Sequence, residues 1–346
     1  MALDRDDAPV RDDDPRGIAA VRAVLDRAGY HENAVAEAMG VASAQMTVRA
    51  THLPQFLHRA RGNSPLEVLI RVFLLGDEPA RDAFHAAVAP MTPEDWEALG
   101  LVSQREGRVR AELTILPFDQ LRLLADRFWD PRGRQANFVM ATSASTAQLA
   151  QMTLRDPVGR MLDVGCGCGV QGLLAAAHAR EVVGVDINPR AINLARFNAQ
   201  LNGLTHCTFR RGDLLAPVRS ERFDQIVANP PFVISPDTDY VFRDSGRRGD
   251  GVSSELARAL PDYLEEGGVA QMLCNWAELE GEDWRQRVTG WVADRGCDAW
   301  IARIGSSSVA DYTTVWMEAD SGLDAMQIVD RFERWMAYYE AQKIVA

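Results

Sequence analysis

The sequence predicts an α/β protein in which a doubly wound parallel sheet follows a mainly helical domain. Two observations carry this prediction. From residue 160 onward, apolar strand patterns alternate with helical patterns, which is the order of a parallel sheet covered by helices on both faces. Before residue 120, short helical patterns precede a stretch of alternating apolar and polar residues that is typical of a hairpin.

Three segments follow from these patterns: a disordered tail over residues 1–16, a helical domain over 17–120 and the sheet domain over 121–346. Residues 1–16 contain six aspartates, three arginines and two prolines, a composition that disfavours a packed core. Helical patterning begins near Gly17, where apolar residues recur every three or four positions.

Capping residues define the next helices of the first domain. Ser64 and Pro65 at one end and Gly76 at the other predict a helix over 64–75. Shorter helices are expected over 79–88 and 92–99.

The alternation within 101–116, around a turn at Arg105-Glu106-Gly107, predicts the hairpin. Helices followed by a hairpin suggest a winged-helix-like domain. One interpretation is nucleic-acid recognition, with Arg105, Arg108 and Arg110 on the wing. The other is a protein-interaction or packing module, which the acidic balance of the chain favours.

The sheet domain is reached through a loop at 128–133 and a helix over 143–152. Strands are expected at 160–164, 181–186, 206–210, 223–228, 268–274 and 298–304. Helices are expected at about 170–179, 188–202, 252–265, 283–295 and 323–341. Residues 312–318 suit either a strand or a helix, and 343–346 have the pattern of an opening strand.

Composition narrows the class of protein. At 346 residues, with 47% hydrophobic and 25% charged residues, the chain has the composition of a globular protein with room for two domains. No apolar run approaches the roughly 20 residues of a membrane span, so no membrane partner is expected. Five scattered cysteines favour a reducing, cytoplasmic location over a disulfide framework. The net charge of −12 weighs against tight binding of duplex nucleic acid.

Three signals within residues 159–232 indicate the chemistry. An apolar strand runs through Asp163 into a turn with Gly165, Gly167 and Gly169, where the backbone can pass close to a ligand. Asp186 ends the next strand 21 residues after Gly165, the offset at which doubly wound folds place an acid on ribose hydroxyls. Asn229-Pro230-Pro231-Phe232 follows a later strand.

These motifs, with Asn198-x-x-x-Asn202-Gly203 and Gly212-Asp213-Leu214 between them, resemble class I S-adenosylmethionine-dependent methyltransferases with a Rossmann-like sheet. The resemblance covers roughly residues 138–305. Within that class the chain is similar to the small-domain group, which modifies glutamine in release factors and guanine or adenine in RNA. The resemblance implies S-adenosylmethionine as the cofactor and a planar nitrogen as the methyl acceptor.

The resemblance also implies a role for each motif. The three glycines would let the backbone approach the methionyl part of the cofactor. The cofactor-binding residues would be Asp163 for the ammonium, Asp186 for the ribose, Ile187 for the adenine face, and Asp213 with Leu214 for the adenine amine. Thr142, Ser143, Ser145 and Thr146 would either reach the cofactor carboxylate or cap a helix.

The Asn-Pro-Pro-Phe turn has its own chemical logic. A delocalised lone pair makes amide and aromatic amine nitrogens poor nucleophiles. The Asn229 side-chain oxygen and the Pro230 carbonyl would each accept one N–H of the acceptor, and Phe232 would stack on its planar group. The nitrogen can lose its proton after methylation, so positioning replaces a strong base. The loop from Tyr240 to Gly251 would either close over the site or serve as a flexible connection.

Three functions fit the sequence. The first is an N-methyltransferase acting on a protein glutamine or an RNA base. The second is the same enzyme class with a small-molecule acceptor. The third is an inactive scaffold that binds the cofactor, which the intact Asn229 motif disfavours. No metal ligand set is expected, because Cys166-x-Cys168 lacks a second pair at zinc spacing and lies inside the glycine turn.

Overall fold

The computed structural model describes residues 6–43, 50–127, 134–318 and 324–346. The predicted loop at 128–133 lies outside the described residues, as do residues 1–5 of the predicted tail. None of the described helices combines the length and the apolar character that crossing a bilayer requires.

In the described residues, the N-terminal half contains six α-helices and two hairpins. Its helices are α1 (Pro15–Arg27), α2 (Glu32–Met39), α3 (Leu53–Arg59), α4 (Pro65–Phe73), α5 (Arg81–Val88) and α6 (Pro93–Ala98). Helix α4 begins at a capping box in which Ser64 and Glu67 bond each other's backbone amides, as the sequence signal predicts. The periodic pattern did not reveal α2 and α3, which are short.

The predicted hairpin is confirmed as β1 (Val102–Arg105) paired with β2 (Arg108–Ala111). Glu106 and Gly107, both with positive φ, form its two-residue turn. A second hairpin, β3 (Thr114–Phe118) with β4 (Leu121–Ala125), was not predicted. It crosses the expected domain boundary at residue 120, so the N-terminal unit extends at least to Ala125.

Residues 6–14 form an ordered arm rather than a disordered tail. Val10 is buried, and its amide and carbonyl groups both bond the side chain of Asn193. The Asp12 carbonyl accepts from Gln200, and the Arg11 amide donates to Leu99. Acidic composition indicated solvation, but the backbone of this segment finds partners on both halves of the molecule.

The sheet is five-stranded and parallel, in the order β7-β6-β5-β8-β9. Its strands are β5 (Val158–Val164), β6 (Ala179–Asp186), β7 (Cys207–Arg211), β8 (Phe223–Ala228) and β9 (Leu264–Met272). The order reverses between β5 and β8, so the carboxyl ends of these two strands form the crevice in which doubly wound sheets bind ligands.

The helices of this half are α7 (Ala144–Met152), α8 (Val170–Ala175), α9 (Pro189–Leu201), α10 (Gly251–Ala259), α11 (Trp284–Thr289), α12 (Val309–Glu318) and α13 (Ala325–Ala341). Residues 312–318 are therefore helical. Of the two possibilities left open by the sequence, the helix is the one observed.

One predicted strand is wrong. Residues 298–304 are irregular, with Trp300 fully exposed and Ile304 63% exposed. Alternation alone cannot supply a pairing partner, and a strand gains stability only from its neighbours. The expected opening strand at 343–346 is reduced to a short antiparallel contact in which Ile344 bridges Leu279.

Helix α9 joins the two halves. One apolar core runs from α1 and the second hairpin across α9 to the glycine turn. Asn193, Asn198 and Asn202 each donate to and accept from backbone groups of the N-terminal half, at Val10, Leu124 and Arg122 respectively. The N-terminal unit is thus packed directly behind the site-forming edge of the sheet.

Candidate functional site

A cavity of about 470 Å³ lies at the carboxyl ends of β5, β6 and β8. It brings together nearly all the residues singled out in the sequence. Its lining includes Asp163, Gly165, Gly167, Asp186, Ile187, Asp213, Leu214, Asn229, Pro230, Pro231 and Phe232. The motifs that lie up to 70 residues apart in the chain therefore share one space.

The glycine turn and the Asn229 turn lie side by side. A Cβ placed on Gly165 would lie 3.5 Å from the Pro230 Cα and 3.6 Å from the Asn229 carbonyl oxygen. Gly165 also has φ of +70°, a left-handed conformation that a side chain would strain. The requirement for glycine at this position is therefore conformational, because a Cβ would make only ordinary contacts with the Asn229 turn.

Gly169 lies outside the cavity, although it was expected to lie beside the ligand with Gly165 and Gly167. It does not line the cavity; it caps α8, with a φ of +90°. A Cβ there would lie 3.2 Å from Ala195 and from the Phe209 ring. Gly169 therefore allows α8, α9 and β7 to pack behind the turn rather than letting the backbone approach a ligand.

Asp163 is buried at the end of β5. Its Oδ2 accepts a hydrogen bond from the Gly172 amide of α8 at 2.8 Å. Burial raises the pKa of Asp163 to about 7, against which the Gly172 bond acts, while the negative charge of Asp186 raises it further. Such a carboxyl group is poised to ionise when a cation approaches it.

Asp186 holds the turn together. Its two oxygens accept from the Gly167 amide at 2.8 Å and from the Asn188 amide at 2.9 Å. Burial raises its pKa, and these backbone bonds oppose that rise. Beside it Ile187 is 51% exposed at the cavity, an apolar surface suited to the face of a flat ligand.

Asp213 is exposed and reaches the other end of the cavity. Its Oδ2 accepts from Arg247 Nη2 at 3.2 Å, and Arg247 also pairs with Glu255. These bonds raise the pKa of Arg247, with the Glu255 contribution the largest. A ligand amine at Asp213 would therefore share the carboxylate with a guanidinium.

The hydroxyl-bearing residues before α7 form a local cap. Ser143 accepts from the Thr146 amide, and its hydroxyl bonds those of Ser145 and Thr146. Ser143, Ser145 and Thr146 line the cavity. Capping is thus their observed contact, and any contact with a ligand would be additional.

Asn229 and Phe232 are half-buried at the mouth of the crevice. Among the residues that the structure describes, the Asn229 side chain has no hydrogen-bond partner, so its amide is available to a ligand. Phe232 also borders a second cavity of about 390 Å³, lined among others by Asn275, Trp276 and Tyr312. The two cavities meet at this ring.

Several lining residues were not found from the sequence. Residues 138–141 form one side, and Trp316 of α12 contributes from near the end of the chain. Residues 235–247, which we call the roof, line the cavity with Tyr240, Phe242 and Arg243. The sequence indicated the part of the roof from Tyr240 onward, as a loop that would either close over the site or serve as a flexible connection, but it gave no signal for residues 235–239.

The comparisons with known proteins agree with this geometry. Residues 141–276 match the family model of the methyltransferase small domain. Residues 27–112 match a domain of unknown function, DUF7059. The first match covers both turns and the five strands of the sheet, and the second covers most of the N-terminal unit.

Curated relatives match parts of the chain of about 130 to 160 residues. A putative protein N5-glutamine methyltransferase of Methanocaldococcus jannaschii is 35% identical over 129 residues, 35% of this chain and 64% of the relative. The ribosomal RNA small subunit methyltransferase C of Alcanivorax borkumensis is 32% identical over 126 residues, 36% of this chain and 35% of the relative. The release factor glutamine methyltransferase of Geobacter sulfurreducens is 33% identical over 159 residues, 41% of this chain and 53% of the relative. The chain thus spans between about a third and two thirds of the length of these relatives.

Proposed function

We propose, from the premise that residues 141–276 form a methyltransferase small domain that uses S-adenosylmethionine, that this protein methylates a planar nitrogen of a macromolecule. The acceptor would be a glutamine amide in a protein or an amine of an RNA base. The observation that carries the proposal is that the Gly165 turn and the Asn229 turn line one cavity side by side. It supports the proposal because the groups that would orient the acceptor then lie beside a cavity large enough for the cofactor.

The cavity suits S-adenosylmethionine in charge and in shape. Asp163 would offer its buried carboxyl group to the ammonium, and Asp186, at the end of β6, would bond the ribose hydroxyls. Ile187 would pack on the adenine face, with Asp213 and Leu214 at the amine. The bound cofactor supplies an electrophilic methyl group on a positively charged sulfur.

The chain's own contribution to transfer is orientation. The Asn229 side-chain oxygen and the Pro230 carbonyl would each accept one N–H of the acceptor, turning the nitrogen lone pair toward the methyl group. Proline fixes the turn without adding a donor, and Phe232 would stack on the planar group. The proton would leave the nitrogen after methylation, so no strong base is needed.

A macromolecular acceptor is supported by the relatives and by the shape of the site. The relatives' names specify protein glutamine or ribosomal RNA as their substrates. Beyond Phe232, the second cavity leaves room for groups attached to the acceptor nitrogen. We also propose that the N-terminal unit recognises this acceptor and that the protein acts in the cytoplasm, where its five free cysteines would stay reduced.

The test uses labelled S-adenosylmethionine and a cell extract fractionated by size and by ribonuclease treatment. Label in a protein or an RNA fraction supports a macromolecular acceptor, and label only in small molecules contradicts it. Asn229→Ala should lower turnover by about 100-fold or more while changing cofactor affinity only a few-fold. If turnover survives in Asn229→Ala, the planar-nitrogen mechanism is wrong.

A further inference from the structure

The roof is held from outside the catalytic sheet, by helix α13. Asp237 lies at the centre of this contact and its carboxylate is fully buried. Its Oδ2 accepts from Arg331 Nη2 at 2.5 Å and from the indole Nε1 of Trp335 at 3.0 Å, and its Oδ1 accepts from Arg334 Nη2 at 2.6 Å. A single roof carboxylate thus receives three side chains of one helix.

The same helix face also holds both ends of the roof. The Tyr339 hydroxyl donates to the Ile234 carbonyl at 2.8 Å, just before the roof. The Gly249 amide, just after the roof, donates to the Tyr338 hydroxyl at 2.9 Å. Residues 331, 334, 335, 338 and 339 follow helical spacing and form one face of α13, so the helix lies along the whole segment.

Inside the roof, a second carboxylate completes the network. Asp244 is buried, and its Oδ2 accepts from the amides of Asp239 and Tyr240. The guanidinium of Arg243 bonds the Asp244 carboxylate at 2.8 Å and stacks over the Tyr240 ring. Tyr240 and Arg243 line the cavity, so the position of the lining depends on the network beneath it.

The use of buried ion pairs to hold a loop indicates which property of the loop matters, its geometry or its stability. Because charged groups lose hydration on burial, a buried ion pair adds little stability over apolar packing of the same volume. A buried ion pair does impose one geometry, because each buried donor and acceptor must form its hydrogen bond. A buried Asp237 with three donors is therefore better explained by a need for a fixed roof than by a need for stability.

We propose that Asp237, with Arg331 and Trp335 of α13, is a positioning cluster that fixes the roof over the cavity for methyl transfer. The inference rests on the proposed function. None of these three residues lines the cavity; they act through Tyr240 and Arg243. The cofactor would be held mainly on the opposite side, by Asp163 and Asp186, so the cluster should affect transfer more than cofactor binding.

The experiment compares four full-length variants with the unmodified chain. Asp237→Asn keeps the size of the side chain and removes its charge. Trp335→Phe keeps an aromatic ring and removes one donor. This milder change tests the same cluster if Asp237→Asn does not fold. Arg334→Ala removes a donor whose side chain is 57% exposed, and Glu333→Ala is the matched control on the exposed face of the same helix.

Hydrogen exchange is the first measurement. In Asp237→Asn the amides of Asp239 and Tyr240 should exchange about tenfold faster or more, with exchange in β5 unchanged. Trp335→Phe should show the same change to a smaller extent, Arg334→Ala less again, and Glu333→Ala none. Unchanged exchange of the roof amides in both Asp237→Asn and Trp335→Phe would overturn the positioning role, whatever the activity of the protein.

Transfer and cofactor affinity are the second measurement. S-adenosylhomocysteine affinity should stay within about threefold in Asp237→Asn, while the initial rate of labelled methyl transfer at saturating cofactor falls about tenfold. An equal fall in affinity and in rate would overturn the split. If the unmodified chain labels no fraction although the roof amides respond as expected, the proposed function fails and the structural role of the cluster stands.

Discussion

The two walls of the cavity are built by different means. The wall formed by the glycine turn and Asp186 is held by backbone amides that lie 2 to 19 residues away in sequence, those of Asn188 and Gly167 on the Asp186 carboxylate. The roof is held by side chains from α13, which lie more than 90 residues later in the chain. The first wall is a local motif and the second is a product of tertiary packing.

Under the proposed function, this difference separates cofactor binding from methyl transfer. A wall held by backbone amides can present the same groups to a cofactor independently of the roof. A roof fixed by distant ion pairs can be altered without disturbing that wall. Substitutions on the first side should therefore change cofactor affinity, and those on the roof side should change transfer.

The largest effect is expected where the first wall depends on the N-terminal unit. Asn198 is fully buried on α9 and bonds the amide and carbonyl of Leu124 and the carbonyl of Cys168 in the glycine turn. Asn198→Ala leaves these groups without partners and should lower the free energy of unfolding by about 3 kcal/mol. Denaturant unfolding of the variant and of the unmodified chain measures this difference.

The matched control is Asn202→Ala, which removes bonds to the backbone of Arg122 at a half-buried position. It should cost about 1 kcal/mol. A cost for Asn198→Ala no greater than that of Asn202→Ala would mean that the glycine turn stands without the N-terminal unit, and the first wall would then be local in the full sense.

A smaller effect, on binding rather than on folding, is expected at Asp186. Asp186→Ala should weaken S-adenosylhomocysteine binding by about 1–3 kcal/mol, the range for removing a hydrogen bond to a charged group. Calorimetric titration of the folded variant with S-adenosylhomocysteine measures this change in affinity. Asp186→Asn, which keeps an oxygen for the turn amides, should weaken binding less. Unchanged affinity in Asp186→Ala would remove this residue from the site.

The same contrast explains what the sequence could predict. Strands β5 to β8, their helices and the glycine and Asn229 turns were predictable, because each of these signals lies within a short stretch of sequence. Gly184 shows the limit: a Cβ there would lie 2.5 Å from the Phe209 ring, a requirement that appears only once β6 and β7 are paired.

The parts that were missed depend on long-range partners. Asp237 has the sequence surroundings of an ordinary loop acid, and nothing near it indicates Arg331 or Trp335. The arm at residues 6–14 has the composition of a disordered segment, yet Asn193 and Gln200 of α9 bond its backbone. The second hairpin, which holds β4 against α9, was likewise hidden because its bonds to α9 are made by side-chain amides far away in the sequence.

The pH dependence of cofactor affinity and of stability tests the role of Asp163 in the first wall. The pKa of Asp163 is raised by burial to about 7 from an ordinary 3.8. A cation binds the ionised carboxylate, so cofactor affinity should fall as pH falls through about 7. Stability should move the other way. The native state keeps a proton that the unfolded chain releases, so stability declines as pH rises from about 4 toward 7.

Calorimetric titrations and thermal unfolding across this pH range would measure both trends. Asp163→Asn should flatten both without changing the size of the side chain. If affinity and stability respond to pH in the same direction, or if Asp163→Asn keeps either trend, the titrating group is not Asp163.

The smallest effect is expected far from both walls, at the first hairpin. Arg105 and Arg108 are exposed beside its turn, and Arg110 lies 3.9 Å from Glu78. These three arginines do not line the cavity, so reversing their charges should leave cofactor affinity unchanged. If the acceptor is RNA, the slope of log affinity against log salt should flatten by about one for each arginine that binds a phosphate. With a protein acceptor the slope should barely move.

Arg27→Glu, an exposed charge reversal on α1, serves as the control. An RNA acceptor bound with an unchanged slope by the triple variant would show that this hairpin is not its recognition surface.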